Sequence, residues 1–580
     1  MKSETKTCQN CRNDFTIEPD DFGFYEKIKV PPPTFCFHCR LQRKLAYLNF
    51  RTLFKRKCAN CKKDIISMYR QDSRFTIFCV DCYRNREDCI QYGRDYDFSR
   101  TFFEQFLDLY KNVPIPSLKQ NITSKKCEYS NHTYHQNRAY LSFMVSRSED
   151  VFYSQQVLMG NKIILDSQNI HMNERGYELV DSSRSYNSRF LIRSRACVDS
   201  AFLFNCSNCT DCCMSYNLKN KKYVFRNKQY TREEYLNIMK DYPLDSYEVQ
   251  EKLSNEFWDF SKQAVCLFAS MRNAVNCTGD FIGNSKNTHY SFSLVDTENS
   301  KYIIFGANTI RDSYDLAFAG ILESCYELVD SGGHSNMMFF NNGHSTGFDI
   351  RYVMNGKNNK NLFGCVALEN KQYCILNKQY SKKEYEETIP RILEHMEKMP
   401  YKDKKDRVYK YGEFFPAELS PFAYNESVAY EEFPMSQKET LKEGYEWRDL
   451  EEKQYSITIE SSELPESIND VKDDILEQII TCPNKGKVET KCTFGFRIIP
   501  DELRYYRLMK IPLPRYCPNC RYYERRKWLN PWKLWHRTCM CDKDGHFHGK
   551  EKCKVEFETS YAPNRPEIVY CEKCYQQEVY

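Results

Sequence analysis

The chain has 580 residues, enough for several domains, and a formal net charge of +5. No apolar run approaches the ~18 residues of a membrane-spanning helix, and the first residues lack the apolar core of a signal peptide, so we expect a cytoplasmic protein with no membrane partner. Because the chain is neither small nor visibly secreted, we expect metal ligation rather than a disulfide framework for the paired ones among its 29 cysteines.

The N-terminal segment, residues 1–89, contains four Cys-x-x-Cys pairs, namely Cys8/Cys11, Cys36/Cys39, Cys58/Cys61 and Cys79/Cys82. Each pair can supply two ligands from one tight turn, and four thiolates suit tetrahedral zinc, so the pattern predicts a twin zinc ribbon. Taken in order, the pairs give the sites Cys8-Cys11-Cys36-Cys39 and Cys58-Cys61-Cys79-Cys82. A cross-braced pairing, first with third and second with fourth, is also compatible with the spacing.

Residues 90–126 are expected to form a helical cap and linker. Apolar residues recur at helical spacing within residues 95–111, Ser99 can cap the helix, and a proline-containing stretch at residues 112–116 ends it. We expect this helix to cover the open first coil of the repetitive centre.

The centre of the chain is a tandem duplication. The heptad Gly176-Tyr-Glu-Leu-Val-Asp-Ser182 returns as Cys325-Tyr-Glu-Leu-Val-Asp-Ser331, 149 residues later, and both halves end in Asn-Lys-Gln-Tyr. A capping box follows each ending and predicts a helix there. We assign the first repeat with its helix to residues 127–262 and the second to residues 263–399.

A finer period of twelve residues runs through both halves. Short runs rich in β-branched and aromatic residues, such as those at Tyr302, Tyr314 and Tyr326, alternate with turn residues. This alternation predicts a parallel β-solenoid, although the strands of an ordinary β-sandwich also recur every ~8–12 residues. Twelve residues correspond to one strand plus one turn, so a full coil could take two such units. We expect the three tyrosines to align on one inner face and most central cysteines to be structural thiols.

Residues 400–480 form an irregular and acidic linker in this scheme. The stretch from Asp449 to Glu477 contains ten Asp/Glu and two Lys, a net charge of −8. We favour a solvated linker over the alternative, an internal cover for the basic ends of the chain.

The C-terminal segment, residues 481–580, repeats the N-terminal one at an offset of 481 residues, so that Cys36 matches Cys517 and Arg56 matches Arg537. Its first and third ligand pairs are split. The predicted sites are Cys482-Cys492-Cys517-Cys520 and Cys539-Cys553-Cys571-Cys574. We therefore expect four zinc ions per chain, two at each end. Cys541 could replace one of these ligands, and the roles of His546 and His548 stay open.

The predicted fold class is mainly β: a duplicated parallel β-solenoid centre flanked by N- and C-terminal twin zinc-ribbon modules, with short capping helices. Basic charge is concentrated in the two modules. The segment Cys36–Cys61 carries +7 and Cys517–Cys541 carries +5, so the rest of the chain sums to −7.

These basic segments also contain tyrosine and tryptophan. Cationic side chains neutralise phosphates and flat rings stack on unpaired bases, so we predict nucleic-acid binding, to RNA or single strands before duplex. The rival interpretation is that the aromatic residues build the ribbon cores and the charges only solubilise them. The candidate contact residues are Arg40, Arg43, Lys44, Arg51, Lys55, Arg56, Arg521, Arg525, Arg526, Lys527, Trp532 and Trp535.

Motifs for catalysis are not evident. The sequence has no phosphate loop, dinucleotide fingerprint or HExxH motif. The coils contain aspartates that do not share a register, so a carbohydrate-active solenoid is a minor alternative. They are Asp166, Asp181, Asp199, Asp315 and Asp330.

Several motifs resemble one protein family. Cys36-Phe-His-Cys-Arg40, Tyr92-Gly-Arg-Asp-Tyr-Asp-Phe-Ser99 and Phe557-Glu-Thr-Ser-Tyr-Ala-Pro563 are similar to segments of zinc-ribbon repeat proteins that are common in ultrasmall bacteria of the candidate phyla. The resemblance covers nearly the whole chain. It implies intracellular zinc modules around a repetitive centre and brings no established activity.

The sequence thus predicts a non-enzymatic zinc-binding scaffold that binds nucleic acid through its ribbon segments. The alternative is a protein–protein interaction scaffold that uses the solenoid face.

Overall fold

The computed structural model describes residues 2–306, 308–343, 347–449 and 455–580. The centre of the chain is a parallel β-solenoid in two stacks, and cysteine tetrads lie in the modules at both ends. The predicted fold class is therefore confirmed. Among the described residues, no helix combines the length and the hydropathy that crossing a bilayer would require.

The N-terminal module consists of hairpins, each followed by a helix. Its strands β1–β5 are Glu4–Thr7, Asp14–Ile17, Phe54–Lys57, Asp64–Ser67 and Ile77–Phe78, and its helices α1–α3 are Pro19–Lys27, Phe37–Leu45 and Val80–Arg84. Helix α4 (Phe102–Asn112) and strand β6 (Ile115–Pro116) lead into the solenoid.

Helix α4 differs from the prediction in its cap and its position. Its N-cap is Thr101, which forms a capping box with Glu104, rather than Ser99. The helix does not cover the first coil, because Phe102 contacts Tyr352 and Phe363 near the end of the second solenoid.

The first solenoid is followed by two helices. Its strands β7–β20 are Lys125–Glu128, Asn131–Tyr134, Asn137–Tyr140, Phe143–Ser146, Glu149–Phe152, Gln155–Leu158, Lys162–Leu165, Gln168–His171, Glu174–Tyr177, Tyr186–Ile192, Ala201–Phe204, Thr210–Tyr216, Lys222–Phe225 and Lys228–Gln229. Helices α5 and α6 are Arg232–Lys240 and Tyr247–Ser261, and α5 begins with the predicted capping box of Thr231 and Glu234.

The second solenoid ends in the corresponding way. Its strands β21–β32 are Val265–Leu267, Met271–Val295, Thr297–Gly306, Ile310–Arg311, Tyr314–Ala319, Leu322–Glu323, Tyr326–Ser331, His334–Gly343, Gly347–Met354, Asn359–Phe363, Gln372–Ile375 and Lys378–Gln379. Helix α7 is Lys382–Lys398, with the predicted capping box of Ser381 and Glu384.

The rest of the chain contains short elements and the C-terminal module. Strands β33–β39 are Tyr401–Lys402, Val408–Tyr409, Ile480–Thr481, Gly495–Phe496, Trp535–Thr538, Glu556–Thr559 and Ile568–Tyr570. Helices α8–α12 are Val428–Glu432, Gln437–Lys442, Pro500–Met509, Pro518–Arg526 and Glu572–Val579.

A complete coil takes twelve residues, so the expectation that it could need two such units is wrong. Phe143 pairs in parallel with Asn131 in the preceding coil and with Gln155 in the following one. Some coils have thirteen residues, as between Gln155 and Gln168. Each coil is therefore half as long as a coil made of two such units would be.

The narrow coil is closed by left-handed residues at every third position. Arg184, Asn187 and Phe190 are successive examples, with φ of 56°, 46° and 54°. Four such corners close a coil of twelve residues. The left-handed conformation costs roughly 1–2 kcal/mol for each non-glycine residue, so the inter-coil hydrogen bonds and the packed interior must offset it.

The interior of the first solenoid follows the same three-residue period. The Ser182 hydroxyl donates to the Leu191 carbonyl at 3.0 Å and accepts from the Ser194 N–H at 3.1 Å. One coil further, the Ser194 hydroxyl accepts from the Cys206 N–H at 3.1 Å. Small polar side chains thus satisfy backbone groups that would otherwise be orphaned inside the coil.

Aliphatic side chains and thiols fill the remaining interior positions. This buried cluster contains Val145, Val151, Val157, Ile164, Ile170, Leu179, Leu191, Cys197, Leu203, Cys206, Cys209, Cys212 and Val224. The structural role expected for these central cysteines stays a prediction, which their burial among aliphatic side chains supports.

The three tyrosines of the second solenoid lie against the N-terminal module, not on an inner face. Tyr314 and Tyr326 are in register, but Phe24 stacks on Tyr314 at a centroid distance of 3.9 Å from outside the coil. Tyr302 is one residue out of register, because Lys301 pairs with Tyr314.

The acidic stretch from Asp449 to Glu477 is not the solvated linker that we favoured. Residues 450–454 lie outside the described residues. Of the remainder, Leu464, Ile468 and Ile475 are buried in one hydrophobic cluster with the C-terminal module. Asp473 also pairs with Arg507 at 2.7 Å.

We predict that Leu191→Ala will destabilise the protein by about 2–5 kcal/mol, because it leaves a cavity inside a coil too narrow to collapse around it. Urea unfolding would measure the loss. Leu236→Ala on α5, where the side chain is 47 % exposed, is the matched control and should change stability by less than about 0.5 kcal/mol. Equal effects of the two substitutions would contradict the interior position of Leu191.

Candidate metal centres

The predicted cysteines meet in four tetrads. They are Cys8-Cys11-Cys36-Cys39, Cys58-Cys61-Cys79-Cys82, Cys482-Cys492-Cys517-Cys520 and Cys539-Cys553-Cys571-Cys574, and within each tetrad all sulfur atoms lie within 4.8 Å of one another. The ligand order is therefore sequential, and the cross-braced pairing is excluded.

All four tetrads are built in the same way. Two cysteines come from a hairpin turn, and the next two come from the start of a helix. Cys36, Cys79, Cys517 and Cys571 are the N-cap residues of α2, α3, α11 and α12. The positive end of a helix dipole favours the thiolate form that a metal requires.

The sulfur–sulfur distances fit tetrahedral coordination. Cys11 and Cys36 are 3.7 Å apart, and Cys553 and Cys571 are 3.9 Å apart. Metal–sulfur bonds of ~2.3 Å at tetrahedral angles place sulfurs about 3.8 Å apart, whereas a disulfide requires ~2.05 Å. None of the 29 cysteines forms a disulfide.

Backbone N–H groups donate hydrogen bonds to tetrad sulfur atoms. In the first tetrad the Cys36 N–H donates to the Cys8 sulfur at 3.3 Å. The matching bond in the third tetrad, from Cys517 to Cys482, is also 3.3 Å long. Such bonds stabilise negatively charged sulfur and orient it toward the centre.

The helix that begins at the first tetrad also binds the second solenoid. Arg40 in α2 donates to both carboxylate oxygens of Asp315, at 3.0 and 2.9 Å, and Lys44 donates to the Asp315 carbonyl at 2.7 Å. Arg43 lies 3.3 Å from Glu327 and 3.2 Å from Glu413. Arg40 is 2 % exposed and Asp315 is fully buried.

The C-terminal module binds the first solenoid through the equivalent residues. Arg521 in α11 donates to Asp166, and Arg525 donates to Asp166 at 2.9 Å and to Glu178 at 3.0 Å. Arg521 also lies 4.8 Å from the ring centroid of Tyr153, as Arg40 lies 5.3 Å from that of Tyr302.

These contacts assign a role to the repeated heptad. Glu178 and Glu327 are its third residues, and Asp166 and Asp315 each lie one coil earlier. Each terminal module thus docks on one copy of the same surface. The arrangement is crossed, since the N-terminal module binds the second repeat and the C-terminal module binds the first.

Burial contradicts half of the twelve predicted nucleic-acid contacts. Arg40, Arg43, Lys44, Arg56, Arg521 and Arg525 are buried; Arg51, Arg526, Trp532 and Trp535 are half-buried; only Lys55 and Lys527 of this set are exposed. The sequence showed the positive charge but not its partners, which are solenoid carboxylates for Arg40, Lys44, Arg521 and Arg525.

The half-buried members are also engaged. Arg51 stacks over Tyr522 at 3.6 Å from the ring centroid, and Arg526 pairs with Glu432 at 2.9 Å. Trp532 packs against Phe318. The rival interpretation, in which the aromatic residues build cores, is therefore closer to the structure for these side chains.

The aspartates considered for carbohydrate chemistry lie in separate places. Asp166 and Asp315 pair with arginines, Asp330 pairs with Lys119, and Asp199 accepts from Asn187. Asp181 lines a cavity of about 160 Å³ between the two solenoids and the C-terminal module. Burial raises the pKa of Asp181 to about 6, and Arg193 opposes that rise.

Comparison with protein-family models gave no match, and comparison with curated proteins gave none either. The family resemblance drawn from the motifs stays a prediction.

The heptad glutamates are the titratable part of the docking surface. Burial raises the pKa of Glu178 and of Glu327 to about 7, against the opposing effect of Arg525 on the first and of Arg43 on the second. Burial also acts on Asp315, but Arg40 and Lys44 outweigh it and hold the pKa of Asp315 below its usual value.

A pH dependence follows from the two glutamates. An unfolded glutamate titrates near ~4.3, so between that value and about 7 the folded chain binds more protons than the unfolded chain. Their contribution to the free energy of unfolding therefore falls as pH rises through this window. We predict that the E178Q/E327Q variant will show a smaller decline between about pH 4.5 and pH 7, measured by urea unfolding. The exposed-site variant E386Q should keep the wild-type slope, and an unchanged slope in the double variant would contradict the assignment.

Loss of the first tetrad should destabilise the part of the second solenoid that α2 contacts. We predict that Cys36→Ser will release α2 and its arginine, so that amide exchange quickens in residues 314–331. Cys79→Ser disrupts the second tetrad, whose helix α3 makes no ion pair with Asp315 or Glu327, and should leave exchange in that region unchanged. Equal exchange in both variants would show that docking does not depend on the first tetrad.

Proposed function

We propose that the protein is a non-enzymatic, zinc-dependent scaffold that binds single-stranded nucleic acid along one side of its first solenoid. Four thiolates at tetrahedral spacing are typical of structural zinc, and a site with no open position favours a structural role. A reducing compartment such as the cytoplasm would keep the ligand thiols available.

The observation that supports nucleic-acid binding is a column of exposed cations, which we call the basic side. It consists of one side of seven successive coils, stacked through Ser146, Leu158, His171, Ser183, Arg195, Ser207 and Lys219. At a spacing of ~4.8 Å per coil the column is about 29 Å long.

The basic side has few acidic residues, and Asp181 is the acidic corner at its opposite edge. Its corner and stacked positions include Arg147, Arg184, Arg195 and Lys219, with His171 between them. Of these, Arg147, Arg184 and Arg195 are exposed and have no ion pair among the described residues. This contrasts with four arginines of the terminal modules that pair with solenoid carboxylates, namely Arg40, Arg43, Arg521 and Arg525.

Electrostatics at the basic side are uncompensated. Burial lowers the pKa of Arg195, and Arg184 and Arg272 lower it further. Burial, Arg184 and Arg195 act in the same direction on the pKa of His171. Cations that destabilise one another in this way produce a positive potential that a polyanion would relieve.

The shape favours a single strand. One coil side is three residues wide, about 10 Å, which is narrower than a duplex but suits one phosphate backbone. Exposed Met159 and Met172 lie between the cations and can contact bases. The alternative ligand is an acidic protein segment, whose carboxylates need not have the regular spacing of backbone phosphates.

The test is salt-dependent binding of labelled oligouridylate by fluorescence anisotropy. If the three exposed arginines contact phosphates, affinity should fall with salt at a log–log slope of roughly −2.1, and R184A/R195A should bind more weakly with a slope of roughly −0.7. The control K55A/K527A removes the two exposed lysines among the contact residues predicted from the sequence, and it should bind like the wild type. Binding that depends on Lys55 and Lys527 but not on Arg184 and Arg195 would contradict the proposal, and no binding at all would favour the protein-interaction scaffold.

A further inference from the structure

The two modules differ most between the first two ligands of their second tetrads. Cys58 and Cys61 are three positions apart, whereas Cys539 and Cys553 are fourteen apart, so the C-terminal module has eleven extra residues here. The insertion contains Cys541, His546 and His548, three residues of metal-ligating type. No counterpart of this group occurs at the N-terminal end.

The inserted side chains meet at a second point beside the fourth tetrad. The Cys541 sulfur lies 3.2 Å from His546 Nδ1 and 3.4 Å from His548 Nε2. All three ligand atoms and the sulfur of Cys574 lie within 4.8 Å of one another. A tetrahedral metal with bonds of ~2.3 Å to sulfur and ~2.05 Å to nitrogen would separate such atoms by about 3.6 Å.

Each histidine ring has a second partner on the side that faces away from Cys541. His546 directs Nε2 toward Glu578 at 3.6 Å, and His548 directs Nδ1 toward the Glu551 carbonyl. A proton held on each of these outward nitrogens leaves the nitrogen that faces Cys541 free to ligate. Metal-bound histidines in proteins usually have this second partner, which fixes the ring and its tautomer.

We propose that Cys541, His546, His548 and Cys574 hold a fifth metal ion, and that the thiolate of Cys574 bridges it to the ion of the fourth tetrad. Cys574 belongs to both groups, and a thiolate has lone pairs enough for two metals. It is buried in the first turn of α12. Two sulfur and two nitrogen ligands suit zinc or cobalt, and four protein ligands leave no open position, so the site is structural.

The site explains how the insertion can be ordered. The segment between Cys541 and Cys553 has little apolar cover, since Phe547 is 47 % exposed, and it contains no helix or strand. A metal that joins it to α12 would supply the ordering free energy that packing does not.

The experiment is native mass spectrometry of the full chain purified with zinc. We expect five ions for the wild type and four for H546A/H548A, because the four cysteine tetrads remain complete. The matched control H536A changes an exposed histidine on β37 and should keep five. Wild-type protein with four ions, or an unchanged count in H546A/H548A, would overturn the proposal and would leave Cys541 at most an alternative ligand of the fourth tetrad.

A second readout guards against misfolding of the variant. After reconstitution with Co²⁺, the difference in visible absorption between wild type and H546A/H548A should be that of a mixed sulfur–nitrogen tetrahedral site. A difference typical of four sulfur ligands, or none, would count against the fifth site. Both measurements are independent of nucleic-acid binding.

Discussion

The structure depends on buried ion pairs between solenoid carboxylates and helices that begin at a cysteine tetrad. Arg40 and Arg521 each lie four residues after a tetrad cysteine that is also the N-cap of a helix. Because residues four apart share a helix face, the tetrad places each arginine directly over the coil. Burying the guanidinium and the carboxylate without each other would cost several kcal/mol, so the pair fixes the one register in which both are satisfied.

The crossed docking makes the two halves of the molecule depend on each other. The N-terminal module cannot complete its contacts until the second repeat has formed, since Arg40 binds a residue 275 positions later. The C-terminal module reaches back over a still longer separation to Asp166. The crossing explains why the same heptad stands in both repeats and why both modules contain the same arginine: they are two copies of one complementary pair of surfaces.

The sequence was most informative where ligand chemistry is local. Two cysteines within one turn hold their sulfur atoms close together, so the four tetrads could be predicted from the cysteine spacing. The prediction also held where a pair was split, as at Cys539 and Cys553. The parallel solenoid followed from the twelve-residue period. The coil length did not, because its cause is a left-handed residue at every third position, and residues such as Phe190 and Arg193 have no intrinsic preference for that conformation. A period of three was nevertheless present, in the run of Ser182, Ser185 and Ser188 that continues through later coils.

The function of the basic segments could not be deduced from charge alone. Exposed arginine and buried arginine look alike in a sequence, and only the partner distinguishes them. A clue existed in the matched duplications, since Arg40 and Arg521 repeat at one offset while Glu178 and Glu327 repeat at another. The basic side of the first solenoid was harder to foresee, because its cations are twelve or more residues apart and become neighbours only through the coil.

Double-mutant cycles at the docking contacts test the central claim most directly. Unfolding free energies would be measured for R521Q, D166N and the double variant, with the cross-pair R521Q/D315N as the control. Direct contact predicts a coupling of at least about 1.5 kcal/mol between Arg521 and Asp166, and additivity within about 0.5 kcal/mol for the cross-pair. Equal coupling in the two cycles, or none in either, would contradict the assignment of the C-terminal module to the first repeat.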